Sequence, residues 1–193
     1  MARTPAKWLG NGSSVTFTVF ASLAGFSAYF SMYAFRKPFT AESFGSVEGW
    51  HYALDFKIAL VLAQLIGYAA SKFIGIRVIA GMKRTYAGEA ILGLIGASWL
   101  ALVAFALVPA IFKVPAMFVN GLCLGMIWGL VFSYMEGRRV SEILGAVLCA
   151  SFIVSSGAVK SVGILLVKIV HVPVFWMPAV AGLVFVPLLL LSV

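Results

Sequence analysis

Six long apolar runs follow one another along the chain, separated by short polar segments. They cover residues about 14–35, 56–73, 90–108, 114–134, 143–167 and 172–193. Each is close to the ~20 apolar residues that an α-helix needs to cross the hydrocarbon core of a bilayer. The runs are continuously apolar, whereas the strands of a membrane barrel alternate apolar and polar residues. The pattern predicts an all-α fold with one polytopic membrane domain, residues 1–193, and six transmembrane helices.

The composition agrees with a membrane protein and excludes several other classes. Hydrophobic residues make up 63% of the chain and charged residues only 10%, while soluble domains carry about 25% charged residues. Disorder, a coiled coil and a small disulfide scaffold are therefore excluded. The first run is too long for a signal peptide. Cys123 and Cys149 both lie in apolar runs, so we expect them to act as small hydrophobic residues.

The net charge of +8 indicates an orientation in the membrane and not a nucleic-acid partner. Lysine and arginine gather in cytoplasmic loops of membrane proteins, and the chain has no basic stripe with interleaved exposed aromatic residues. With both termini in the cytoplasm, the inner segments hold eight Lys and Arg residues, the outer segments hold five, and Lys160 lies inside a run. We predict a multi-pass protein of the cell membrane (plasma or inner) with both termini cytoplasmic.

The end of the first run carries the first candidate site. Tyr29, Tyr33 and Arg36 are spaced i, i+4 and i+7, which places them on one face of a helix. An arginine in line with phenol groups suits a water-filled cavity better than lipid, and its guanidinium group suits phosphate or carboxylate. Alternatively, Arg36 and Lys37 anchor the helix end at the membrane interface, and Pro38 ends the helix. The residues alone leave both interpretations open.

Two lysines in later runs are further candidates. Lys72 lies at the end of the second run, where snorkelling to the cytoplasmic surface is the simpler interpretation. Lys160 lies well over a turn from either end of the fifth run, so we expect it to face a cavity. Catalytic spacing, a phosphate loop and a metal-ligand cluster are absent from the sequence. An enzyme, a cofactor and a metal site are therefore not expected.

The fourth run contains Gly121, Gly125 and Gly129, one small residue at every fourth position. Such a stripe lets two helix backbones approach closely. We interpret it as a packing surface, and Asn120 beside it as a candidate hydrogen-bond donor between helices.

Two short segments resemble motifs of the major facilitator superfamily, in particular its organophosphate:phosphate antiporter branch. Tyr33-Ala-Phe-Arg-Lys-Pro-Phe39 resembles the end of that branch's first-helix motif, and Gly67-Tyr-Ala-Ala-Ser-Lys-Phe-Ile-Gly75 resembles its second-helix motif. The resemblance implies a divergent amino-terminal six-helix half of such a transporter, in which Arg36 binds an anionic substrate and Lys72 is functionally important. Two features depart from the pattern. The loop from Gly75 to Arg84 lacks the aspartate that the superfamily normally has there, and Pro38 is unexpected after the Arg-Lys pair.

The leading hypothesis is half of a secondary active transporter that moves a small anionic solute by alternating access. Its substrate-binding candidates are Arg36, Tyr29, Tyr33, Lys72 and Lys160. The chain ends at Val193 without a polar tail, so we expect a second six-helix half, or a second copy, to complete the site. The alternative is a non-transporting six-helix membrane sensor or assembly subunit, for which the glycine stripe would be the contact surface.

Overall fold

A computed structural model describes residues 14–45, 47–81, 86–135 and 141–192, and these residues form helices without any strand. The helices are α1 (Ser14–Tyr33), α2 (Phe56–Ala80), α3 (Ala87–Leu107), α4 (Ala110–Met135), α5 (Ser141–Lys168) and α6 (Met177–Ser192), with a short 3-10 helix at Pro38–Ala41. The predicted all-α class is confirmed, and one helix lies at each predicted apolar run.

Four helices, α2 to α5, are long and apolar enough to cross a membrane. The chain is therefore a multi-pass membrane protein. Among the residues whose side chains are described, the apolar parts of α1 and α6 are shorter, Val19–Tyr33 and Met177–Ser192, so six crossings remain a prediction. The orientation also remains one, because it depends in part on Arg3, Lys7, Lys83, Arg84, Arg138 and Arg139, which lie outside the described residues.

Two helix boundaries differ from the predicted ones by five residues or more. α2 runs to Ala80 and not to Phe73, because the apolar residues continue past Lys72 and exposed Arg77 lies close to the helix end. α6 begins at Met177 and not near residue 172. Pro173 precedes a turn there, and Pro178 is tolerated because it stands in the first helical turn, where no amide donor is needed.

The helices form two groups of three. α2 and α4 pack along each other most extensively and α3 packs on α4, whereas α1 packs on both α5 and α6. The packing has a similar pattern in the two halves of the chain, when α1 is matched to α4, α2 to α5 and α3 to α6. The contact of α2 with α4 then corresponds to that of α5 with α1, and the contact of α3 with α4 corresponds to that of α6 with α1. The packing of α5 on α6 is weaker and has no comparable α2–α3 partner. The fold thus has an approximate internal repeat.

Glycines hold α2 and α4 at close approach. A Cβ atom on Gly121 would collide with the carbonyl group of Gln64, and one on Gly125 would collide with the side chain of Ser71. On α2, a Cβ atom on Gly67 would collide with the carbonyl group of Phe118. The predicted packing role of the glycine stripe is confirmed at Gly121 and Gly125, and the partner is a helix of the same chain.

Lys113, at the beginning of α4, forms hydrogen bonds with the C-terminal end of α3. Its side chain is 5% exposed, and Nζ donates hydrogen bonds to the carbonyl oxygens of Phe105 (2.6 Å) and Ala106 (3.4 Å). The ammonium group also lies 4.2 Å from the ring centre of Phe175. A cation at the C-terminal end of a helix satisfies carbonyls that lack an intrahelical partner. Lys113, which is one of the five Lys and Arg residues counted in the outer segments, is therefore a buried helix cap.

We expect Lys113→Met to destabilise the protein by about 1–2 kcal/mol, because charge-assisted hydrogen bonds and a cation–π contact are lost while the side-chain volume is kept. The measurement is the thermal unfolding midpoint of the purified protein in detergent. Lys168→Met is the matched control, since Lys168 is exposed at the end of α5. Equal midpoints for the two variants would contradict the capping role.

Candidate functional site

The site is built on a break at the end of the first helix. α1 ends at Tyr33, and residues 34–37 form turns in which the amide of Arg36, for example, donates to the carbonyl oxygen of Tyr33 at 3.0 Å. Pro38 follows and has no amide hydrogen to continue the helix. Among the described residues, no backbone amide donates to the carbonyl oxygens of Phe35 or Arg36.

Two amide side chains from other helices satisfy these carbonyls. Nδ2 of Asn120 donates to the Phe35 oxygen, and Nε2 of Gln64 donates to the Arg36 oxygen, each at 3.3 Å. Asn120 is the eleventh of the 22 residues in its apolar span, Ala110–Val131, and Gln64 is the ninth of 23 in its own, Phe56–Val78. The break therefore lies level with the middle of the neighbouring helices and not with their ends.

Arg36 extends from this break onto aromatic rings. Its guanidinium carbon lies 4.2 Å from the ring centre of Tyr68 on α2 and 5.7 Å from that of Tyr33. Nη1 donates to the hydroxyl oxygen of Tyr33 at 3.4 Å. Tyr29 is buried, packs on the ring of Tyr33 at 5.4 Å between centres, and is within electrostatic reach of Tyr68. The three residues predicted to share one face do converge, around Tyr68.

Lys72 joins the same cluster instead of extending along the helix to the surface. Its Nζ lies 3.7 Å from the ring centre of Trp128 on α4 and 4.8 Å from that of Tyr68. Lys72 and Arg36 thus both contact the ring of Tyr68, and their charges interact. The snorkelling interpretation of Lys72 does not agree with this position.

Two further cations extend this group of charges. Lys37 is half-buried and within electrostatic reach of both Arg36 and Lys160. Lys160, on α5, is also half-buried. We call Arg36, Lys37, Lys72 and Lys160 the cation cluster. It draws its members from the break after α1, from α2 and from α5.

The cation cluster has no carboxylate partner among the described residues, in which no ion pair involves any of its four members. The acidic residues whose side chains the structure describes lie elsewhere in the chain, at Glu42, Glu48, Asp55 and Glu89. Four like charges among apolar helices are unfavourable unless water or an anion accompanies them. The chemical capacity of the arrangement is therefore to bind an anion. No cluster of potential metal ligands occurs in the described part of the chain.

The sequence contained a signal for Gln64 and Tyr68, which we did not single out. With the candidate Lys72 they are spaced i, i+4 and i+8, which places one amide, one phenol and one amine on a single face of α2. Trp128 carried no such signal, because only the packing of α4 against α2 brings its ring to Lys72. Lys37 was considered only as an interfacial anchor and as one of the five charges of the outer segments, and the structure places it within electrostatic reach of Arg36 and Lys160.

Fold and site together define a multi-pass membrane protein with a cation cluster among its helices. Residues 38–193 match the model of the family described as "Family of unknown function (DUF5690)", and the chain belongs to this family. The matched segment includes Lys72 and Lys160 and begins directly after Lys37. No curated protein matches the chain.

Proposed function

We propose that the protein is a divergent amino-terminal half of a major-facilitator-type secondary transporter, and that the cation cluster binds a small anionic solute. The observation that carries this proposal is the convergence of Arg36, Lys37, Lys72 and Lys160 with no described carboxylate among them. Charged side chains at membrane depth are costly and generally mark the path of a substrate or ion.

The energetics favour a bound anion as the missing partner. A single charged residue at the centre of a membrane helix costs about 2.5–3.5 kcal/mol on insertion scales, and mutual repulsion adds to this for four cations. The aromatic rings beneath Arg36 and Lys72 offset part of the cost through cation–π contacts. They leave the hydrogen-bond donors of the guanidinium and ammonium groups available, and those donors suit a carboxylate or phosphate.

Six crossings follow if α1, its break and the 3-10 helix together form the first of them. Residues 14–41 exceed the ~20 that a crossing requires, and the break is sheltered inside the protein, where non-helical backbone is tolerated at membrane depth. A broken helix near a central site is also typical of secondary transporters.

The approximate internal repeat supports the same proposal. If every helix crosses once, α1 and the matching helix α4 run in opposite directions. The segments α1 to α3 and α4 to α6 would then form an inverted repeat. Inverted repeats with a site near the bilayer midplane are common among secondary transporters. A second six-helix half, or a second copy, would face the cation cluster, and rocking of the two halves would expose the anion alternately to each side.

Lys160 provides a test in which α5 supplies its own control. In proteoliposomes containing the full chain, we expect Lys160→Ala to lower the uptake of labelled inorganic phosphate by about tenfold or more, equivalent to ~1.4 kcal/mol of lost interaction. Lys168→Ala removes an exposed lysine from the same helix and should leave uptake unchanged. Equal uptake by both variants would remove Lys160 from the site.

The sensor or assembly alternative loses its main support, because Gly121 and Gly125 contact α2 of the same chain. The same assay distinguishes it from transport. Binding of phosphate without any uptake would favour a sensor, whereas uptake that accelerates when the opposite compartment contains phosphate would favour exchange across the membrane.

A further inference from the structure

We infer that Gln64 and Asn120 are positioning residues, which aim the guanidinium group of Arg36 at the anion by holding the backbone of the break in α1. This inference deepens the proposed function and rests on it. Its basis is the pair of hydrogen bonds from Asn120 to the Phe35 carbonyl and from Gln64 to the Arg36 carbonyl.

These two carbonyls belong to the peptide planes on either side of the Arg36 Cα atom. The Phe35 carbonyl lies in the plane that precedes it, and the Arg36 carbonyl lies in the plane that follows. Because each peptide unit is planar and rigid, a hydrogen bond to each carbonyl restrains φ and ψ of Arg36. The direction of its Cα–Cβ bond, and hence the origin of the guanidinium group, is restrained with them.

The two amides are themselves held in place. Nε2 of Gln64 donates to Oδ1 of Asn120 at 2.8 Å, and Nδ2 of Asn120 donates to Oγ of Ser98 on α3 at 2.8 Å. Gln64 is 6% exposed, and Asn120 and Ser98 are fully buried. A buried polar network whose members are all satisfied is rigid and specifies one arrangement. Residues of α2, α3 and α4 thus brace a segment that otherwise packs with α5 and α6.

The brace acts through the backbone and not through the anion site itself. Neither amide exchanges a hydrogen bond with the guanidinium group, which contacts Tyr33 and Tyr68. The amides of residues 34–37 all donate to carbonyl oxygens of residues 31–33, so the brace acts on the carbonyl side of the segment, where Phe35 and Arg36 have no amide donor among the described residues. Without the brace, these two carbonyls would lose their partners, and the peptide planes around Arg36 would turn more freely.

The test is a double-mutant cycle between Gln64 and Arg36. Binding of labelled inorganic phosphate to the full chain in nanodiscs is measured for Gln64→Met, Arg36→Ala and the double variant. We expect Gln64→Met to weaken binding by about 10- to 100-fold, as misplacement of a site group by ~1 Å does. In the Arg36→Ala background, where the other cations leave a weaker affinity, Gln64→Met should have no further effect.

Ser98→Ala is the matched control. It removes a hydrogen bond from the same buried network and leaves both contacts to the Phe35 and Arg36 carbonyls in place. If Gln64 has a positioning role, Ser98→Ala binds phosphate with nearly unchanged affinity. If its role is merely structural, both Ser98→Ala and Gln64→Met lose phosphate affinity in proportion to their loss of stability. If Gln64→Met does not fold, Gln64→Asn is used, since its shorter amide reaches the Arg36 carbonyl less well.

The outcomes separate this inference from the proposed function. Phosphate binding that is lost in Arg36→Ala but retained in Gln64→Met overturns the positioning role alone. An equal effect of Gln64→Met with and without Arg36 overturns it as well. No phosphate binding by the unsubstituted protein, or full binding by Arg36→Ala, overturns the proposed function. In that case, faster amide hydrogen exchange at residues 35–41 in Gln64→Met would still report the hold on the backbone.

Discussion

Arg36→Ala is expected to lower the affinity for inorganic phosphate by about 30-fold or more. Removing one member of a buried, hydrogen-bonded charge pair costs about 2–5 kcal/mol, and each 1.4 kcal/mol is a factor of ten in affinity. Arg36 interacts electrostatically with both Lys37 and Lys72 and contacts the ring that it shares with Lys72, so its loss affects the whole cation cluster. Scintillation proximity binding to the purified protein measures the effect.

Arg36→Lys distinguishes charge from geometry. It keeps the positive charge but loses the planar fork that can bind two anion oxygens at once, so we expect an affinity between those of the unsubstituted protein and Arg36→Ala. Arg77→Ala is the control, because Arg77 is exposed near the end of α2. If Arg36→Ala and Arg77→Ala bind phosphate equally well, Arg36 has no place in the site.

The largest expected effect on stability is at Gly121. Any Cβ atom there meets the backbone of α2 at Gln64, and backbone cannot rotate away as a side chain can. We expect Gly121→Ala to destabilise the protein by about 1–3 kcal/mol through overpacking, and Gly121→Val to prevent most of the protein from folding. The fraction that elutes as a monodisperse peak after heating in detergent measures both effects.

Gly96 on α3 is the matched control, because its substitution by alanine is expected to stabilise the protein. A Cβ atom on Gly96 has nothing within 4 Å, so Gly96→Ala should gain up to about 1 kcal/mol from its higher helix propensity. Because both residues lie in apolar helices, detergent affects both variants in the same way. Destabilisation of Gly121→Ala no greater than that of Gly96→Ala would contradict the close packing of α2 on α4.

The helices could be predicted from the sequence because each apolar run must satisfy its own backbone inside a membrane, and only a helix does so within one segment. The break after Tyr33 could be predicted only in part. Pro38 predicts the end of the helix, but the depth of the break is set by its contacts with Asn120 and Gln64, which lie on α4 and α2. Arg36 and Lys37 were counted among the charges of the outer segments because no local pattern encodes that depth.

The candidate site shows the same division. Tyr29, Tyr33 and Arg36 share a face because helical spacing alone places them there. Lys72 was ambiguous, because the sequence near the end of a run allows both snorkelling and an inward position. The ring of Trp128 favours the inward position, and it reaches Lys72 because Gly121 and Gly125 let α4 approach α2.

The central claim is that Arg36 faces water enclosed by protein at the depth of the membrane core. The direct measurement is the rate at which a membrane-impermeant anionic methanethiosulfonate modifies Arg36→Cys, in a background that lacks Cys123 and Cys149. Leu65→Cys is the control, because Leu65 follows Gln64 at the same depth and is 52% exposed on the outside of the bundle. We expect rapid modification of Arg36→Cys, slowed by phosphate, and none of Leu65→Cys. Arg36→Cys as unreactive as Leu65→Cys would contradict the account.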